Sequence, residues 1–447
     1  MRLLKTFIKF VFGKELASTS SLFYRSAQVL LIQLCGALLL FLNNYLIIKF
    51  AGDQNYGTYI SIVTWISLFS VIVSFGMDDL FIAVLPKYIG RVDKRAIFNV
   101  LVWATKVVGG VFVITSLTLA FLIKTNILQE LSRYQTIHIY ILLLLLTFMS
   151  LLISFLRSMN RIVIGQLLDK ILRPLLMILV LISFVVVSVS IHYKQLLVIQ
   201  ILVLIVCISS ILYLFRGGMT GKNDVREIRF DKSLRPNFNF LLISLLNLLT
   251  VRLDILFLTE TVSAQEVGYY NIAVRFADLI NYPVVILNLI VPTLLSKALT
   301  DANTTSFHRT VQSTIRISII LTCCALGGMI LFGKYILALF GDGFIEGYYP
   351  IIVLGISHLL TAFSGPLNAL FMVGGMERIS LYCLAANVLL SLIGCYFLIP
   401  FYYMIGAALS VLIGNFAYLV LITYFYYKKE GVYITPFKIF NINRVSK

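Results

Sequence analysis

Four ionisable residues, Arg252, Asp254, Arg275 and Asp278, sit inside otherwise apolar sequence. The stretch that carries them, Asn247 to Ile280, reads as the end of one membrane helix, a short turn and most of the next. An ionisable group at membrane depth costs at least about 2.5 kcal/mol on insertion scales, so its default reading is a functional site. The guanidinium forks of Arg252 and Arg275 are shaped to take phosphate oxygens. Paired with Asp254 or Asp278, they would instead lock helices together. Asn271, Arg275 and Asp278 recur at i, i+4 and i+7 and so share a helical face. At about 1.5 Å per helical residue, Lys106 and Lys170 lie roughly 10 Å from one membrane edge and Arg173 near the middle, with Arg252 and Arg275 towards the other edge. These five cations form a ladder that offers an anionic group a partner at each level. Asp169 and Arg173, four residues apart, can neutralise each other. Asp254 and Asp278 also admit coupling to a proton or sodium ion, because burial raises a carboxylate's proton affinity while a neighbouring arginine opposes that.

The other reactive residue types suggest less. Asp78 and Asp79 read as a gate contact or a helix cap. Pro174, Pro283 and Pro366, with Gly365, are expected to break the backbone ladder within spans. The histidines, His138, His192, His308 and His358, are scattered, and none has a metal-ligand spacing. The six cysteines fall inside apolar spans and read as small packing residues. No nucleophile elbow, phosphate-binding glycine loop or zinc motif appears, and no cofactor is called for.

The elements that must position these residues are membrane helices. The chain of 447 residues is 60% hydrophobic and 12% charged, against about 25% charged for soluble domains. Its apolar residues come in blocks long enough to cross a hydrocarbon core of about 30 Å. Twelve spans are expected: 28–50, 57–80, 99–123, 137–156, 163–188, 195–215, 239–259, 268–291, 314–333, 349–373, 379–399 and 404–427. With both termini on the cytoplasmic side, segments on that side carry 26 of the 36 lysines and arginines. The opposite loops carry Lys124, Arg133, Lys194 and Lys334. That asymmetry sets the orientation and accounts for a net charge of +17 without nucleic acid. The tyrosine pairs Tyr269-Tyr270, Tyr348-Tyr349 and Tyr402-Tyr403 are expected at the outer interface.

The chain repeats itself. Asn43 precedes Gly57 by the same interval as Asp254 precedes Gly268, and both glycines lie in aromatic-rich turns. Met159-Asn160-Arg161 is matched by Met376-Glu377-Arg378. Two six-helix lobes in the same orientation follow. The expected organisation is a basic leader at 1–25, an N-lobe at 26–215, a cytoplasmic linker at 216–238, a C-lobe at 239–427 and a basic tail at 428–447. In the leader, Arg2, Lys5 and Lys9 share one face, which suits either a helix lying on the membrane surface or a plain basic leader that holds the N-terminus inside.

A set of ordered motifs carries a resemblance. It comprises Arg252-x-Asp254, Glu266-Val267-Gly268-Tyr269-Tyr270, Ala273-x-Arg275, Phe340-Gly341-Asp342-Gly343-Phe344, Gly375-Met376-Glu377-Arg378, and Ile399-Pro400 with Gly406-Ala407-Ala408. Asn160-Arg161 and Arg173-Pro174 extend it into the first lobe. Together they resemble the polysaccharide-exporter branch of the multidrug/oligosaccharidyl-lipid/polysaccharide (MOP) transporter superfamily, the O-antigen flippase (Wzx) type. The resemblance implies a central cationic cavity between two lobes and movement of an undecaprenyl-pyrophosphate-linked oligosaccharide from the cytoplasmic to the outer leaflet of a bacterial inner membrane. Polysaccharide polymerase and chain-length machinery are the partners it implies. The first lobe has Asn43 where the second has Asp254, so a strictly paired acidic site is not expected.

Two other readings stay open. A MATE-like ion-coupled antiporter of small molecules would want a more acidic cavity. A membrane glycosyltransferase or polymerase would want a larger outside loop than the one between spans 3 and 4, the longest here at about a dozen residues.

Overall fold

A chain segment surrounded by lipid must satisfy its backbone groups internally, so the apolar blocks form helices. The computed structural model describes residues 20–85, 94–125, 137–159, 161–186, 191–218, 235–300, 304–373, 377–430, 432–434 and 439–441. The surface helix expected in the leader, linker residues 219–234 and most of the tail lie outside the described residues. The first half comprises α1 (Ser20–Ala51), α2 (Asp53–Ser74), α3 (Met77–Val84), α4 (Lys94–Lys124), α5 (Ile137–Ser158), α6 (Ile162–Leu167), α7 (Arg173–Val186) and α8 (Tyr193–Gly218). The second comprises α9 (Arg235–Thr261), α10 (Ala264–Thr300), α11 (Thr304–Ala338), α12 (Tyr348–Val373) and α13 (Glu377–Glu430). A two-stranded antiparallel pair, β1 (Val432–Ile434) with β2 (Ile439–Asn441), interrupts the tail that the sequence reads as plain basic chain.

Among the described residues, nine stretches are long and apolar enough to cross a membrane. The longest, Arg378–Lys429, is two spans joined directly at a sharp bend. It turns back at Tyr403, whose φ of 48° and ψ of −125° are not helical, three residues after Pro400. The two arms close on small residues, with Gly394 against Ser410 and Gly414 against Ser391 and Asn387. Close backbone approach of this kind holds membrane helices together where lipid removes the hydrophobic drive. An Asn387–Asn415 hydrogen bond of 2.8 Å, continued from Asn415 to Ser357 at 2.7 Å, ties the arms to α12. With α6–α7 and α10 as the remaining two spans, twelve crossings form a helical bundle of two halves.

Two irregularities bear on function. The sequence runs span 2 on to residue 80, but α2 stops at Ser74. Phe75 (φ 49°) and Gly76 (φ 68°) are both left-handed, and α3 starts afresh at Met77. A Cβ at Gly76 would run into the backbone of Asn237 and Leu241 in α9, so glycine is needed there for contact as well as conformation. The second irregularity is a π turn, Leu168–Leu172, between α6 and α7. It lies just before Pro174, whose ring would clash with the Lys170 carbonyl in an α-helix; the wider turn avoids this. Pro283 and Pro366, by contrast, lie within the unbroken helices α10 and α12. One missing hydrogen bond is absorbed there without a change of helix type.

The halves meet mainly where α2 packs along α9 and α10. One apolar core runs through both, from Ile47 and Tyr56 to Leu258, Tyr270 and Ile351, and a smaller one around Ile315, Phe371 and Tyr426 lies within the second half. Long apolar side chains such as Leu38, Phe121, Leu331 and Phe397 point outward, where lipid takes the place of a protein partner.

Candidate functional site

The cavity between the halves is best built from its closed end, here called the hairpin end, where α1 turns into α2 and α9 into α10. Tyr56 and Asn271 are both buried and meet across the seam, the Asn271 amide donating to the Tyr56 hydroxyl at 2.7 Å. The Tyr269 hydroxyl donates to Asp53 at 3.1 Å, again between halves. Gly57 and Gly268 face each other between these bonds. A Cβ at Gly57 would collide with the Ala264 carbonyl, and one at Gly268 would press on the Tyr56 ring. Beside them, Phe41 of α1 packs against Phe276 of α10, the rings tilted with centroids 4.7 Å apart. Phe276 packs edge-on against Phe340 at 5.7 Å, and Phe340 against Tyr45 at 5.8 Å. The sequence repeat thus becomes a symmetric seal in which each glycine makes room for the other half.

Below the seal lies a cavity of about 610 Å³, within the usual range for a site enclosing a sizeable ligand. Its N-lobe wall includes Gln33, Asn43 and Asn44 of α1, Tyr59 of α2, Gln200 of α8, and Asp169, Lys170 and Arg173 around the π turn. Its C-lobe wall includes Arg252 of α9, and Arg275, Asp278 and Tyr282 of α10. Asp169 pairs with Lys170 at 2.9 Å and with Arg173 at 3.7 Å. Arg275 and Asp278 lie 3.9 Å apart. Arg252 has no carboxylate within 4.0 Å among the described residues. Four cations against two carboxylates leave the lining two positive charges in excess. The Tyr59 hydroxyl donates to Gln200 at 2.5 Å, so that side of the wall is polar without charge.

Six of the eight ionisable residues singled out in the sequence therefore line one cavity. Two do not. Lys106 is exposed on α4 and absent from the lining, which corrects its place in the ladder. Its depth along the span is readable from sequence, but the direction it faces depends on which side of α4 packs inward. Asp254 is 4% exposed and accepts the Tyr270 hydroxyl at 2.7 Å and the Ile255 amide at 2.8 Å. It ties α9 to α10 in the interior of its half instead of pairing with Arg252. The same bond corrects Tyr270, which is fully buried and no part of an interfacial belt; Tyr349, Tyr402 and Tyr403 are exposed. Asn271 belongs to the seal and not to the lining. Asp78 and Asp79 lie at the opposite, linker end. Asp78 accepts the Ser150 hydroxyl at 2.9 Å, and Asp79 accepts that of Ser244 in the other half at 2.5 Å. Tyr59, Gln200 and Asn44 carry neither charge nor motif, and only the fold brings them to the wall.

A family model described as "Polysaccharide biosynthesis protein" matches residues 26–282. No curated protein matches the chain in sequence. In structure, it is similar to the lipid II flippase MurJ in an inward closed conformation, with a TM-score of 0.66 at 13% identity over 89% of this chain and 86% of that one. An inward-facing multidrug resistance MATE family transporter of the MOP superfamily gives 0.62 at 15% identity, covering 89% and 98% of the two chains. A MOP superfamily transporter from Pyrococcus furiosus gives 0.60 at 16% identity, covering 90% and 95%.

Proposed function

The chain belongs to the polysaccharide biosynthesis protein family, and on that premise we propose that it flips an undecaprenyl-pyrophosphate-linked oligosaccharide, such as an O-antigen repeat unit, from the cytoplasmic to the outer leaflet. The observation that carries this reading is the cation excess of the cavity, contributed by both halves. A prenyl diphosphate sugar is a dianion, and Lys170, Arg173, Arg252 and Arg275 against Asp169 and Asp278 match that charge with opposite sign. Guanidinium groups suit its oxygens, and the neutral amides and Tyr59 on the facing wall suit sugar hydroxyls. The lysine and arginine asymmetry supports an orientation with both termini in the cytoplasm, in keeping with the bacterial inner membrane that this substrate requires. The sealed hairpin end then faces outward.

The mechanism follows from solvation. Sugars and phosphates need a wet, charged enclosure, whereas the prenyl chain is best left in the bilayer. α1 and α10 offer that division, since the lining runs along each of them from Asn44 to Gln33 and from Arg275 to Val285. Rocking of the halves opens the glycine seam and closes the other end. Asp278, in the lining, is the residue placed to couple the cycle to a proton or sodium ion. Polymerase and chain-length machinery would consume the delivered units.

The test is the fate of lipid-linked repeat units in a strain lacking the gene. Intact units are expected to build up on the cytoplasmic leaflet while surface polymer disappears. Normal glycans with reduced tolerance of small toxic compounds would overturn the flippase in favour of an antiporter. Units that reach the outer leaflet but stay unpolymerised would overturn it in favour of a polymerase.

A further inference from the structure

The π turn does more than accommodate Pro174. Neighbouring residues on an α-helix do not face each other, yet Asp169 and Lys170 form a 2.9 Å ion pair. The wide turn brings the Asp169 carboxylate forward between Lys170 and Arg173, which it holds unequally, at 2.9 and 3.7 Å. The backbone of this turn is fixed from behind. A Cβ at Gly36 of α1 would lie within 3 Å of the Lys170 carbonyl oxygen and Cβ, so glycine lets α1 clamp the turn. The charged ends are not clamped. Lys170 is 49% and Arg173 30% exposed, while Asp169 is 18% exposed. All three line the cavity. A firm backbone thus presents one carboxylate seated between two cations that have room to turn away from it. Short π segments inside α-helices gather at functional sites.

We propose that Asp169 is a built-in competitor, whose carboxylate occupies the cationic position between Lys170 and Arg173 that a phosphate group of the substrate takes on binding. This rests on the flippase reading and adds a role to it. Without Asp169, a cavity of four cations against the single carboxylate of Asp278 would bind a lipid diphosphate tightly and release it slowly. A tethered carboxylate at the site weakens capture and then assists release by returning to its seat. Asp278 is the natural comparison. It also lines the cavity, but it stands 3.9 Å from one guanidinium and is 42% exposed, so it fills no such position.

The experiment uses the full chain in nanodiscs, with inorganic pyrophosphate and farnesyl diphosphate as probes and titration calorimetry as the readout. Asp169→Asn is expected to tighten binding of both probes about tenfold, and Asp278→Asn less than threefold. Adding Lys170→Gln to Asp169→Asn should remove the gain. In cells, Asp169→Asn is expected to export more slowly despite binding more tightly, and Asp169→Glu to restore the ordinary rate. Equal tightening by both asparagine variants would overturn the competitor, because it would reflect only the field of the cavity. So would unchanged or weaker binding by Asp169→Asn, with the wild type still binding. Tightening for pyrophosphate but not for the prenyl diphosphate would overturn it for the lipid substrate. Failure of every form to bind either probe would overturn the diphosphate reading itself, and the competitor with it.

Discussion

Arg275→Glu is expected to cut export of lipid-linked units at least a hundredfold while the protein still reaches the membrane. Arg275 is part of the C-lobe wall, and its only carboxylate within 4.0 Å among the described residues is Asp278, at 3.9 Å. A hydrogen bond to a charged group contributes about 1.5–3 kcal/mol, or roughly ten- to a hundredfold in binding. Reversal removes that contact, adds repulsion and cancels the positive excess of the lining. Arg275→Lys keeps the charge but loses the planar fork, and about a tenfold loss is expected. Lys106→Glu is the control. The same change of charge within a span, nearer the opposite membrane edge and outside the lining, should leave export within about twofold. The measurement is surface polymer and accumulated lipid-linked units in a deletion strain carrying each variant, with protein level checked in isolated membranes. If Arg275→Glu and Lys106→Glu behaved alike, the cavity would not be the anion path.

Gly57→Leu is expected to abolish export by a different route. The obstacle a side chain meets at Gly57 is the Ala264 backbone carbonyl, which cannot swing aside as a side chain would. The halves must part at the hairpin end, and the 2.7 Å Tyr56–Asn271 bond beside it must break. Overpacking a closed interface costs about 1–3 kcal/mol, enough to move a two-state equilibrium well towards the form with that end open. Gly268→Ala should be milder, since its obstacle is the edge of the Tyr56 ring at 3.1 Å. The readout is labelling of a cysteine placed at cavity residue Val63, in a variant stripped of its own cysteines, by a membrane-impermeant maleimide added from outside. Labelling should rise at least tenfold with Gly57→Leu and only slightly with Gly268→Ala. Unchanged labelling, with export intact, would show that the glycine seam is not a gate.

The fold was legible because lipid enforces it. A segment of about twenty apolar residues has one stable arrangement in a bilayer, and turns and charges mark its ends. The site was partly legible for the same reason, since a charge at membrane depth stands out from its surroundings. What the sequence hides is the direction a residue faces around its helix. In a soluble protein an apolar face marks the inside, but in α4 lipid-facing and core-facing residues are equally apolar. Lys106 therefore looked equivalent to Lys170, although only Lys170 lies in the lining. Asp254 and Tyr270 were hidden differently. Each is polar in isolation and satisfied in the pair, and nothing in their spacing announces a hydrogen bond between adjacent helices. Pro174 signalled an irregularity but not its kind. The π turn packs closely against α1 at Gly36, a contact distant in sequence. Tyr59 and Gln200 join the wall through pairing of helices that no local pattern encodes.

The central claim is that this chain itself carries a diphosphate-linked sugar across a bilayer. Its most direct test is reconstitution of the purified protein into liposomes holding a fluorescent, short-chain prenyl-diphosphate disaccharide, with proton and sodium gradients imposed in turn. Exposure of the inner-leaflet lipid to an external quencher is then followed over time. The account predicts that the protected pool drains with the wild-type protein under at least one gradient and stays protected with Arg275→Glu. A pool that stays protected with the wild type under every gradient, or drains equally with the charge-reversed variant, would contradict it.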